Sequence, residues 1–126
     1  MQTRLLLPAL ALLAACGPQP PTISALSYSP LAAPVGQTTA LIIMFSYVDA
    51  DRDTAESGYS MVDPSGAITT YPHMPLAGTS STTLKAMASL SISVTPPIPG
   101  PYSFEVWVTD LADQESNHLG GVFKAD

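Results

Sequence analysis

Cysteine is nearly absent. Cys16 is the one cysteine in 126 residues, so no intramolecular disulfide can close. Positive charge is almost as scarce, with four Lys and Arg against ten Asp and Glu and a formal net charge of −6. After residue 15 only Arg52, Lys85 and Lys124 are basic. Phosphate backbones are gripped by clustered Lys and Arg, so nucleic acid is excluded as a partner class. Cations and basic protein surfaces remain open. No run of 18 apolar residues occurs, the length that a permanent helical span requires, and no stretch repeats its apolar residues with a helical period. Catalytic signatures are missing too. There is no Gly-x-Ser-x-Gly elbow and no Gly-rich phosphate loop, and Thr82 stands where a Ser-x-x-Lys site ending at Lys85 needs its serine. The expectation is a protein that is not an enzyme.

What is present begins with an export signal. Met1-Gln2-Thr3-Arg4 carries one positive charge, Leu5 to Leu13 is apolar, and Ala14-Ala15 are small. This is the plan of a secretory leader. Nine residues of helix reach only about 14 Å, against about 30 Å of hydrocarbon. Leu13-Ala14-Ala15-Cys16 resembles the lipobox of bacterial lipoproteins residue for residue. The resemblance implies cleavage before Cys16, a diacylglycerol on its thiol and acylation of the new N-terminus. Two or more acyl chains anchor stably where one does not. Gly17, rather than the Asp that retains such proteins at the inner membrane of enteric bacteria, implies the outer membrane. The leader is therefore expected at residues 1–15, and the lipidated cysteine and a Pro-rich tether at residues 16–21. Polyproline II at about 3.1 Å per residue holds the following domain about 15 Å from the lipid.

Residues 22–126 alternate as strands do. The pattern predicts strands at Ile23–Tyr28, Thr38–Val48, Gly58–Val62, Ala67–Tyr71, Thr82–Val94, Tyr102–Asp110 and Gly120–Phe123. In the second, Leu41, Ile43, Phe45 and Tyr47 share one face while Ile42, Met44 and Ser46 share the other, as expected of a central strand. Asp63-Pro64-Ser65-Gly66 has type I turn chemistry, and Pro72 and Pro75 are expected to break any ladder. Seven antiparallel strands at even spacing predict an all-β sandwich. Ile98-Pro99-Gly100-Pro101-Tyr102 resembles the tyrosine corner of immunoglobulin-like domains. The run from Gly100 to Asp110 resembles the F strand of bacterial immunoglobulin-like, PKD-like and cadherin-like repeats. The resemblance implies that the Tyr102 hydroxyl bonds back to the backbone. It says little of function, because such sandwiches host many roles.

Two constellations stand out. Asp49, Asp51 and Asp53 alternate in one loop, and in a seven-strand sandwich that loop lies at the same end as the loop holding Asp110 and Asp113. Such oxygen-rich loops suit Ca²⁺, with Asp49, Asp51, Asp53 and Asp110 as candidate ligands. The alternative has these side chains capping turns in a solvated acidic loop. Trp107 faces away from Phe104 and Val106, either as an anchor for a partner or as cover for a patch beside a neighbouring strand. His73 and His118 have no metal-ligand spacing and are expected to be plain surface residues.

The sequence thus predicts a lipid-anchored, non-enzymatic binding or scaffolding domain of the cell envelope, with a protein or glycan partner. A calcium-dependent adhesion or matrix module and an accessory subunit of an envelope complex are the alternatives.

Overall fold

The computed structural model describes residues 19–51, 54–76 and 85–126. The leader, Cys16, Arg52, Asp53 and Thr82 lie outside them. Eight strands run in order: β1 Thr22–Ser29, β2 Ala32–Ala33, β3 Thr39–Val48, β4 Thr54–Val62, β5 Ile68–Pro75, β6 Lys85–Val94, β7 Gly100–Asp110 and β8 Leu119–Ala125. They form two sheets, β1-β3-β6 and β2-β8-β7-β4-β5. As expected, β3 is central, and Leu41, Ile43, Phe45 and Tyr47 are buried on its inner face. Across from them lie Tyr59 of β4, Phe104, Val106 and Val108 of β7, and Phe123 of β8. Ala88, Leu90, Ile92 and Val94 extend the core along β6. Side chains alternate across a strand, so one inward row from each strand builds a single apolar layer.

Two expectations need correction. The strands number eight rather than seven, and one pair is parallel. After Ser29 the chain crosses to the second sheet, where Ala32 and Ala33 run parallel to Lys124 and Ala125 of β8. Two residues between Pro30 and Pro34 are too short a segment to show any alternation. The second correction concerns Pro72 and Pro75, which do not end the ladder. Both lie within β5, which pairs with β4 from Val62↔Ile68 to Glu56↔Pro75, with a register shift between Ser57 and Tyr59. The strand is at the sheet's edge, where a missing amide deprives no further neighbour.

The turn joining β4 to β5 follows its sequence. Asp63 Oδ1 accepts from the amides of Ser65 (2.8 Å) and Ala67 (3.0 Å) and from the Ser65 hydroxyl, and Gly66 takes a positive φ of 91°. The Ser65 hydroxyl, with the loop amides, holds the Asp63 carboxyl below its ordinary pKa.

Tyr28 fastens the first sheet to the second. Its ring meets Phe104 edge-on at 4.9 Å, and its hydroxyl donates to Val122 O (2.7 Å) and accepts from Val122 N (3.0 Å). The same ring lies where a Cβ at Gly121 would be. Tyr102 closes the other corner as the resemblance implied. Its hydroxyl donates to Ile98 O at 2.7 Å and accepts from Ile98 N at 3.3 Å. Tyr102→Phe strands both backbone groups of Ile98 and is expected to cost about 1 kcal/mol, read as a lower denaturation midpoint at unchanged slope in a urea titration.

Candidate functional site

One pole of the sandwich gathers the loop after β3, the loop after β7 and the chain entering β1. Asp49 is fully buried at the end of β3. Its carboxylate accepts from the Thr54 hydroxyl (2.7 Å) and the Asp51 amide (3.0 Å). Asp110, 3% exposed at the end of β7, accepts from the amides of Ala112 (3.0 Å) and Gln114 (2.8 Å). Such loops bend where an Asp side chain can take the place of a missing backbone acceptor. Asp113 has a φ of 60°, a conformation that Asp tolerates better than most residues.

The entering chain is tied into these loops. Gln19 N donates to Asp51 Oδ2 at 2.8 Å. With its amide nitrogen turned toward the acids, Gln114 donates to Asp110 Oδ2 (3.0 Å) and Gln19 O (3.2 Å). Deeper in, Asn117 pairs with both backbone groups of Ile23: Oδ1 accepts from Ile23 N at 2.8 Å, and Nδ2 donates to Ile23 O at 2.9 Å. The chain therefore enters the domain at the acidic pole. Among the described residues, no three His, Cys, Asp or Glu side chains are grouped to hold a metal ion. In the described geometry Asp49 and Asp110 accept the hydrogen bonds that cap these turns, and Asp53 lies outside the described residues.

Trp107 is 8% exposed, so the ring is not free to anchor a partner. It stands opposite Gly58 of β4 in the ladder, and its indole occupies the space that a Cβ at Gly58 would need. The imidazole of His118 stacks on the other face of this arrangement, with centroids 4.4 Å apart and planes 11° apart. His118 is in turn held on both sides, by Glu105 through Nδ1 and by Glu115 through Nε2, each at 3.1 Å. Burial works against its protonation, but the hydrogen bonds to Glu105 and Glu115 outweigh that, and the pKa lies above the ordinary histidine value. His118 is therefore not the plain surface residue expected, whereas His73 is on an exposed face with its Nδ1 3.6 Å from Glu56.

No family model matches the sequence, and no curated protein matches it. Solved structures do. The PKD domain of an M14-like peptidase from a Thermoplasmatales archaeon superposes with a TM-score of 0.54 at 17% identity, over 86% of this chain and 98% of that one. A Niemann-Pick type C2 protein from the Japanese carpenter ant gives 0.57 at 9% identity, over 88% and 96%. The alkylpurine DNA glycosylase AlkC of Pseudomonas fluorescens gives 0.56 at 13% identity, over 90% of this chain but only 32% of that one. The likeness is one of fold. The chain has the immunoglobulin-like, PKD-like sandwich architecture, and neighbours so different in kind leave function to the chain's own residues.

Two outcomes follow from the stack on Trp107. Gly58→Ala forces the indole off its strand and is expected to destabilise by about 1–3 kcal/mol, as overpacking does, with altered emission from Trp107, the one tryptophan of the chain. His118 has a raised folded pKa, so its stabilisation is complete below the unfolded value of about 6.5 and is lost as pH rises through the folded pKa. Trp107 emission should follow this single titration with a midpoint above 6.5, and His118→Gln should abolish it. A flat profile in the parent protein would refute the coupling.

Proposed function

We propose that the protein is a lipid-anchored, non-enzymatic binding or scaffolding domain of the bacterial cell envelope, held in the outer membrane through Cys16. The observation that carries this is the Leu13-Ala14-Ala15-Cys16 motif behind a short apolar leader. The chain enters at the acidic pole through Gln19, so a tether starting at residue 16 would meet the domain at that pole. The Asp63 turn and the Tyr102 corner then face away from the lipid. A contact surface is at hand on the outer side of β1-β3-β6. Met44, Val48 and Met87 are 40%, 41% and 52% exposed there, beside Ser46, whose hydroxyl bonds Met87 Sδ. Lys85, opposite Val48, is the charged neighbour in that ladder.

The test is intact-mass measurement on the native protein extracted from membranes. The expected product starts at Cys16 and carries a diacylglycerol and an N-terminal acyl chain, and Cys16→Ser is expected to remain uncleaved. An unmodified thiol at position 16, or a leader still attached, overturns the reading.

A further inference from the structure

The loop between β7 and β8 ends in Glu115 to His118, and these residues fasten it to both sheets. Glu115 forms a backbone bridge to Thr109 of β7. Ser116 N donates to Val108 O at 2.9 Å, and the Ser116 hydroxyl accepts from Val108 N at 2.9 Å. Asn117 holds both backbone groups of Ile23 in β1. His118 closes the loop from outside, its imidazole stacked on the Trp107 indole. Glu105 of β7 meets its Nδ1 and Glu115 its Nε2, each at 3.1 Å. A carboxylate only accepts, so both contacts are hydrogen bonds only when both ring nitrogens carry hydrogen, as in the imidazolium. The neutral ring has one N–H and turns a bare nitrogen to one of the two carboxylates. Glu105 and Glu115 are the charged groups that face the ring. Its other neighbour, the indole, is neutral, and Gly58 opposite Trp107 on β4 has no side chain.

We propose that the charge on His118 sets how firmly the domain grips β1: the imidazolium ties the end of the loop between Glu105 and Glu115 and fixes Asn117 against Ile23, whereas the neutral ring lets one carboxylate go and slackens that grip. The route is short. Asn117 directly precedes His118, and Glu115 belongs to the same few residues, so the contact that a neutral ring gives up anchors the segment that holds Ile23. The direction follows from the surroundings. Burial disfavours the charged ring, but the bonds to Glu105 and Glu115 favour it more, so the pKa is raised. The grip is therefore complete below the unfolded value of about 6.5 and is lost as pH rises through the folded pKa. Glu105 and Glu115 are 61% and 54% exposed, so solvent screening keeps the effect modest. The device acts on the strand by which the chain enters the domain and does not depend on what Cys16 carries.

The test is amide hydrogen exchange in the full chain, followed by NMR from about pH 5.5 to about pH 8.5 and corrected for the intrinsic pH dependence of exchange. The Ile23 amide, which donates to Asn117 Oδ1, reports the grip. The Lys124 amide, which donates to Leu31 O, is the reference at the far end of β8. Relative to Lys124, Ile23 is expected to lose protection about three- to fivefold, with the midpoint at which the His118 ring itself titrates. His118→Gln, neutral throughout, should show no step. Glu115→Gln is the sharper variant. Its amide accepts from the charged ring and donates to the bare nitrogen of the neutral one, so protection should stay high across the range. Ile23 protection that stays flat while His118 titrates, a step at another midpoint, or a step that persists in either variant overturns the proposal. The first of these would leave the Trp107 response as a local effect of the stack.

Discussion

With one cysteine and therefore no cross-link within the chain, the sandwich depends on the apolar contact between its two sheets. Leu41, Ile43, Phe45 and Tyr47 are each 0–1% exposed, and each such side chain contributes about 1.5–3 kcal/mol on leaving water. A domain of this size has one such layer and no reserve, since a disulfide would typically add about 2–4 kcal/mol. The demand for continuity in that layer explains features that look unrelated. Tyr28 reaches from β1 to Val122, Gly121 stays bare to admit its ring, and Tyr102 stacks on Phe123 with centroids 5.2 Å apart. Each closes an edge of the contact that strand pairing alone leaves open.

The polar residues are placed where that layer ends. At the entry pole, Asp49, Asp110 and Asn117 satisfy backbone groups that no ladder reaches. Burying carboxylates there is tolerable because each is hydrogen-bonded. The opposite pole is built from Asp63 and Tyr102, which hold their own loops. The first pole therefore binds the incoming chain to the domain, while the second leaves a cleft beside it. Asn117 couples β1 to the loop between β7 and β8, in the same region that β3 and β7 close.

The inward rows of β3, β6 and β7 were legible from alternation because each strand is long and has one face against the core. Tyr102 was legible because its corner depends on neighbours in sequence. The two-residue β2 was not, since a period needs more residues than that to appear. β5 was misread at Pro72 and Pro75 because proline reports a missing amide but not whether a neighbour needs it, and only the sheet order decides that. At the acidic pole the gathering of loops followed from topology, but the partners of the carboxylates did not. Thr54, Gln19 and Asn117 carry no spacing signal, and they meet Asp49, Asp51 and Ile23 only through the fold. The same holds for His118, which lies far from Trp107 in sequence and reaches it through the pairing of β7 with β8.

The outer face of the five-stranded sheet shows why bare glycine is weak evidence of a site. Gly58, Gly120 and Gly121 all leave room, yet for different reasons. Gly58 admits the Trp107 indole, which His118 then covers. Gly121 is required from below by Tyr28, and Gly120 lies against the Phe104 carbonyl, which a Cβ would strike. The hollow above Gly120 and Gly121, flanked by Ile68 and Val122, is thus already accounted for by packing.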